Sequence, residues 1–203
     1  MKKIEIERVE KTFKNRRPKP IGSFSRSAVM ILLMEEKGEI YILFERRALT
    51  LRRQPGDISL PGGAIEEGET PREAAVRETM EELNLNREDI EVIGDMDYFV
   101  SPYNSIIFPF IGKIRSMEIY PNTEEVDHLF KVPIKFFTDN IPLIYPVELI
   151  PNFTEDYPFH LIYGGKDYKF STRKYNQYFY IYGDYVIWGF TAQVIKSFIE
   201  LLE

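Results

Sequence analysis

The sequence predicts an α/β (α+β) domain in which a mixed β-sheet lies between α-helices. Three observations predict it: apolar runs of strand length recur along the chain, a capped amphipathic helix interrupts them at 70–83, and a second helical pattern closes the chain at 188–202. With 203 residues and 44% hydrophobic side chains there is enough apolar material for one domain over 1–203. Within it, 1–20 reads as a helical extension and 140–203 as a distinct C-terminal part.

Ile4, Ile6, Val9 and Phe13 form one helical stripe ending near Pro18, which predicts a packing helix with a solvated outer face. Residues 27–34 and 40–44 are continuous apolar runs, read as strands, and the polar stretch 35–39 between them reads as a hairpin turn. Residues 46–68 are rich in Gly and Pro and predict an ordered loop. Further strands are expected at 92–93, 98–100 and 106–114, then a helical or turn segment at 124–130 that leads into Pro133. The Tyr- and Phe-rich stretch 159–188 reads as strands. Val194, Ile195, Phe198, Ile199 and Leu202 then recur at helical spacing and predict a closing amphipathic helix.

Composition excludes several chemistries. Without cysteine there is no disulfide framework, thiolate zinc site, iron–sulfur cluster or cysteine nucleophile. Only His128 and His160 are present, too few for a histidine-rich metal site, and both read as packing or surface residues. A net charge of −6 argues against a protein that coats nucleic acid. No apolar run approaches the roughly 18 residues of a membrane span. The opening Met1-Lys2-Lys3 is not followed by a hydrophobic segment, so a cytoplasmic protein is expected. Trp188 and the tyrosines read as core packing rather than as a platform for a base.

The helix at 70–83 carries the most information. Thr70 caps it, Pro71 suits the first helical position, Glu73 completes a capping box, and Asn84 stands where a left-handed terminating residue is wanted. Ala75, Val76, Thr79, Met80 and Leu83 share one face, and Glu78, Glu81 and Glu82 the opposite one. Those acids occupy the last turns, where the helix dipole disfavours each by roughly 0.3–1 kcal/mol. A solvated acidic face and a hard-cation site remain the two readings; a divalent cation would reverse the unfavourable charge. Just upstream, Gly62 and Gly63 allow backbone groups to approach a ligand closely. Glu69 is placed to pair with Arg77 and tie loop to helix. Arg46, Arg47, Arg52 and Arg53 gather in a loop of an acidic chain, and the guanidinium fork suits phosphate oxygens.

Gly63, Glu69, Arg77, Glu78, Glu81 and Glu82 follow the pattern glycine–five–glutamate–seven–Arg-Glu-x-x-Glu-Glu, which resembles the signature of Nudix hydrolases, with Asn84 in place of the usual glycine. Leu43-Phe44-Glu45-Arg46-Arg47, Arg52, Gly56, Ile58 and Leu60-Pro61-Gly62-Gly63 look like the additional motif of coenzyme A diphosphatases. Segments 122–133 and 187–192 are similar to the same family. The resemblance implies the Nudix fold, a family-specific part at 140–203, and Mg²⁺ or Mn²⁺ held by the Gly62 carbonyl with Glu78, Glu81 and Glu82. It implies a general base among the helix acids or outside them, Glu125 before Glu124, and substrate binding by Arg46, Arg47, Arg52 and Gly63. The implied reaction is hydrolysis of coenzyme A to 4′-phosphopantetheine and adenosine 3′,5′-bisphosphate. ADP-ribose, NADH and dinucleoside polyphosphates are alternative substrates, and a non-catalytic nucleotide sensor is the reading of a different class. The partners so implied are small molecules, with no nucleic acid and no membrane; the aromatic tail offers surface for a homodimer.

Overall fold

The computed structural model describes residues 5–115 and 118–203. In chain order the elements are α1 (Ile6–Phe13), β1 (Ser25–Glu36), β2 (Glu39–Arg47), β3 (Ile58–Ser59), β4 (Gly62–Ala64) and α2 (Pro71–Leu83). They continue with β5 (Ile90–Asp95), β6 (Phe99–Val100), β7 (Ser105–Ile114), β8 (Val126–Pro133), α3 (Ile134–Asp139), β9 (Leu143–Leu149), β10 (Arg173–Tyr182), β11 (Tyr185–Trp188) and α4 (Gly189–Leu202).

The main sheet runs β3-β2-β1-β7-β5, with β4 added to β1, β6 to β7 and β8 to β2. β1 and β7 pair in parallel, Val29 opposite Pro109, whereas β1 and β2 form an antiparallel hairpin in which Glu36 meets Glu39 across Lys37 and Gly38. The sheet is therefore mixed, as expected. β1 explains its own unbroken apolar run. Ala28, Met30, Leu32 and Met34 pack with Leu43, Phe110, Ala75 and Leu83 on the α2 side. Ile31 packs with Ile42 and Phe44 against Val194, Ile195 and Phe198 of α4 on the other. A strand buried on both faces shows no alternation.

A second, antiparallel sheet, β11-β10-β9, lies beyond α4. Its inner face sets Tyr178, Tyr180 and Tyr182 against the α4 core. The alternate residues of its strands, Leu143, Tyr145, Ile181, Val186 and Trp188, are exposed. Trp188 thus departs from the expected core role: it stacks on Phe179, rings 5.9 Å apart, on the outward face. Among the described residues no helix is long and apolar enough to cross a membrane.

Several expectations are corrected. Helix α1 forms, but none of its residues is buried, and Ile6, Val9 and Phe13 are exposed; Ile4 lies outside the described residues. Three apolar side chains on eight residues offer little area, and both faces of the main sheet are already covered by α2 and α4. Residues 124–130 are not helical beyond a turn: Val126 N–H donates to the Asn122 carbonyl at 2.8 Å, and the chain then enters β8. There Phe130 faces Phe44 and Val132 faces Ile42, so an inward period of two overrides the acidic start. Residues 159–172 are not strand. Gly164 and Gly165 adopt positive φ within short 3₁₀ turns, and Phe153, Tyr157, Phe159 and Phe170 cluster locally instead of pairing in a sheet. α4 closes the chain as expected, except that Leu202 is exposed. α3 and β9 had no strong sequence signal.

The expected caps of α2 are present. Thr70 Oγ1 accepts from the Glu73 N–H at 3.3 Å, and the Glu73 carboxylate accepts from the Thr70 N–H at 2.8 Å. Asn84 takes the left-handed conformation, φ 49° and ψ 46°. Thr70→Ala removes the reciprocal cap and is expected to cost about 1 kcal/mol, lowering Tm by about 2–4 °C in calorimetry.

Candidate active site

The C-terminal half of α2 lies over β4, and the two glycines there permit the approach. Gly62 has φ 148°, and a Cβ on it would sit 2.2 Å from the Ala28 carbonyl oxygen. A Cβ on Gly63 would sit 2.3 Å from Glu78 Cδ. The Glu78 carboxyl therefore occupies the space a side chain at 63 would fill. One turn on, Glu82 Oε2 accepts the Gly62 N–H at 2.8 Å.

Arg77 locks the arrangement. Its Nε and Nη2 donate to the two Glu69 oxygens at 3.0 and 3.1 Å, and Nη2 also donates to the Ala64 carbonyl at 3.1 Å. Its Nη1 donates to Glu78 Oε1 at 2.9 Å and Glu81 Oε2 at 3.1 Å. The pairing of Glu69 with Arg77 expected from sequence is thus formed in a two-pronged geometry. Hydrogen bonding to Arg77 holds Glu69 below the usual carboxylate range, and Arg77 itself is stabilised further in its charged form.

The three helix acids sit at different depths. The side chain of Glu81 is 55% exposed and that of Glu78 18%, while Glu82 is 4% exposed. Burial is the main cause that pushes Glu82 upward; the Glu45 charge adds to it, and the Gly62 N–H only partly offsets it. Glu78 is also raised by burial against the restraining effect of Arg77. Glu125 stands close enough for its charge to raise Glu45, Glu78 and Glu82 alike. Its loop is stapled to the end of α2, where the Asn122 N–H donates to the Glu82 carbonyl at 2.8 Å and Asn84 Nδ2 to the Tyr120 carbonyl at 2.9 Å. Glu124, its neighbour, is exposed.

Glu45 was not singled out from sequence. It is 1% exposed on β2, its Oε1 accepts from the Ser59 hydroxyl at 2.8 Å, and burial raises its pKa. The available signal was strand parity: Leu43, two residues earlier, faces the α2 core, so Glu45 points the same way.

Glu45, Glu78, Glu82 and Glu125 are thus brought together, with Glu81 at the rim. Among the described residues no three carboxylate or imidazole groups already form one coordination sphere; Glu78 and Glu81 are turned onto Arg77. The donor set is nonetheless all hard oxygen and crowded, its acids outnumbering the Arg47 and Arg77 charges near them, and one buried carboxylate oxygen of Glu45 has no N–H or hydroxyl donor. Such a set suits a hard divalent cation.

The arginines separate. Arg46 borders a cleft of about 660 Å³ with Gly56, His128, Tyr185 and Trp188. Arg47 borders one of about 360 Å³ with Ser59, Tyr103, Trp188 and Phe190. Arg52 and Arg53 are exposed and line neither. Another cleft, about 890 Å³, opens between α2 and β5, but its Arg72, Arg87 and Arg115 are occupied by Asp95, the Ile90 carbonyl and Glu91. His128 is engaged by Asp127 at 2.7 Å and the Tyr185 hydroxyl at 3.0 Å, a packing role as expected, and His160 lies on an exposed turn.

A family model described as the NUDIX domain matches residues 24–136. Over 140 residues the chain is 29% identical to the peroxisomal coenzyme A diphosphatase NUDT7 of Mus musculus, covering 68% of this chain and 58% of that protein, less than two thirds of the relative's length. It is 26% identical over 181 residues to the mitochondrial coenzyme A diphosphatase NUDT8 of Homo sapiens, covering 87% of this chain and 69% of that one. The crystal structure of a MutT/nudix family protein from Enterococcus faecalis aligns with a TM-score of 0.54 at 14% identity, over 98% of this chain and 70% of the other, a likeness of fold.

Because Glu45, Glu78 and Glu82 are raised, the folded chain holds protons that the unfolded chain releases at the ordinary carboxylate pKa, near 4.3. Over that interval the folded state binds more protons, so in chelator its stability falls as pH rises above the ordinary carboxylate range. Glu82→Gln keeps an acceptor for Gly62 and removes the charge. At pH 8 in chelator its Tm is expected to exceed the parent's by about 3 °C or more, with a flatter pH profile in calorimetric scans.

Proposed function

Because this chain belongs to the Nudix family, we propose that it is a metal-dependent pyrophosphohydrolase acting on coenzyme A or its derivatives. The observation that carries this reading is the burial of Glu82 on the Gly62 N–H beside Glu45, Glu78 and Glu125. Oxygen donors so placed fit Mg²⁺ or Mn²⁺, with the Gly62 carbonyl, Glu78, Glu81 and Glu82 as ligands. When bound, the cation supplies neutralisation of the pyrophosphate and a lowered pKa for the attacking water.

The chain's own residues do the rest. Glu125, held at the end of α2 by its stapled loop, accepts the proton of the attacking water, with Glu78 and Glu81 of the helix as the alternative acceptors. Attack breaks the P–O–P bridge and gives 4′-phosphopantetheine and adenosine 3′,5′-bisphosphate. Arg46 and Arg47 each face a cleft that shares Trp188, an arrangement suited to a substrate with separated phosphates and an aromatic base. Gly63 keeps the floor of the site low, while Glu69 and Arg77 hold loop and helix in register. Arg52, on the exposed bend, approaches substrate only from the solvent side. The names printed for the mouse and human relatives support coenzyme A over ADP-ribose, NADH or dinucleoside polyphosphates. The intact acids support catalysis over nucleotide sensing. The exposed outer face of the β11-β10-β9 sheet supports a homodimer.

Incubating the chain with Mg²⁺ or Mn²⁺ and each of those four substrates, with products identified by mass, is expected to give fastest cleavage of coenzyme A. No coenzyme A cleavage alongside turnover of another substrate would overturn the assignment. Glu82→Gln is expected to lower kcat by about 100-fold or more while the far-ultraviolet spectrum is unchanged.

A further inference from the structure

We propose that Glu45 is an additional carboxylate of the cation site, its Oε2 completing the oxygen set formed by α2 and Glu125. This rests on the reading that the α2 acids hold a divalent cation. Glu45 projects from β2 on the face turned toward α2, where Leu43 occupies the preceding position, and it is 1% exposed. Ser59 on β3 satisfies Oε1 at 2.8 Å, held there by the pairing of residue 45 with residue 59. Oε2 has no hydrogen-bond partner among the described residues.

The chain repairs this only in part: the Glu82 carboxyl can share a hydrogen bond with Glu45, and the Arg47 charge lies within range. Arg47, two residues on, leaves its own Nε buried and without a partner. Glu82 and Glu125, which Glu45 faces, are acids themselves. A buried carboxylate with an unsatisfied oxygen is costly, and a hydrophobic side chain would pack this strand position without that cost. A cation among Glu45, Glu82 and Glu125 supplies the missing partner and the missing charge together. The position also separates Glu45 in role from Glu81. Glu81 reaches the site from the solvent side, whereas Glu45 reaches it from the sheet and is fixed by Ser59, so its oxygen is oriented before a cation arrives.

The competing account is purely structural: Glu45 shares a proton with Glu82 and never meets a metal. Glutamine can make that hydrogen bond, accept from Ser59 and fill the same volume, so Glu45→Gln separates the two. Mn²⁺ alone, without nucleotide, is titrated into the full chain by calorimetry, with the spin-resonance signal of free Mn²⁺ as a second readout. The expected result is a Kd about 10-fold or more weaker for Glu45→Gln, with an unchanged or higher Tm in chelator, and partial recovery in Glu45→Asp. Binding by Glu45→Gln within about two-fold of the parent, while Glu82→Gln loses binding, overturns the role of Glu45 and leaves the α2 site standing. Absence of Mn²⁺ binding by the parent overturns both. Should Glu45→Gln fail to fold, equal affinity of Glu45→Asp and Glu45→Ala for Mn²⁺ overturns the proposal, and a weaker Glu45→Ala supports it.

Discussion

Two missing methyl groups set the geometry of this molecule's acidic centre. Without Cβ atoms at 62 and 63, β4 lies against β1 and α2 comes down close enough for Glu78 to rest on one glycine and Glu82 to bind the N–H of the other. Everything downstream follows from that contact. Arg77 is then within reach of Glu69, the Ala64 carbonyl, Glu78 and Glu81 together, and one guanidinium ties strand, loop and helix. The same contact brings the end of α2 under the 120–125 loop, which fixes where Glu125 stands.

The surrounding fold is built to tolerate this. β1 is covered by α2 on one side and α4 on the other, so the strand that carries β4 has a complete core behind it. The helix begins with a reciprocal cap and ends in a left-handed asparagine, so favourable termini flank the turns that carry the unfavourable acids. Elsewhere among the described residues buried side-chain polar atoms are matched: the Thr79 hydroxyl, fully buried, donates to the Ala75 carbonyl at 2.6 Å. Among the described residues the two orphaned buried side-chain atoms, Glu45 Oε2 and Arg47 Nε, lie on the same strand next to the acids. Local rules of stable design are kept through the body of the fold and broken where the acids gather.

What was readable in the sequence follows that division. The helix at 70–83, its cap, its terminator and the pairing of Glu69 with Arg77 are encoded by contacts three to eight residues apart, and short-range patterns carry them. The sandwich was legible because a strand buried on both faces and two helical stripes leave few alternatives. β8 was misread because its acidic opening, Glu124-Glu125-Val126-Asp127, masks an inward alternation that only its partner β2 reveals. α1 was misread because periodicity shows that a stripe exists, never what covers it. The basic loop was read as one patch, yet adjacent strand residues point oppositely, and a pairing shift between Arg46 and Arg47 sends them to different clefts. Those clefts also draw walls from β11 and α4, over 100 residues away, where no local pattern reports the meeting.

Depth is the property that distinguishes the three helix acids. An exposed acid such as Glu81 keeps contact with water and pairs with Arg77 at 3.1 Å. A buried one such as Glu82 has given up its water and received a single backbone N–H in return, while Glu45, Glu78 and Glu125 press the same sign of charge upon it. A protein selected for stability alone would place an apolar residue there, since removing a buried charge of this kind commonly leaves the fold more stable. The cation proposed for this site would supply the opposite charge from outside the chain, and the oxygen donors around Glu82 suit a hard one. The most deeply buried acid is then the one whose environment changes most when such a ligand enters, so binding and folding stability are coupled at Glu82 more strongly than at its exposed neighbour.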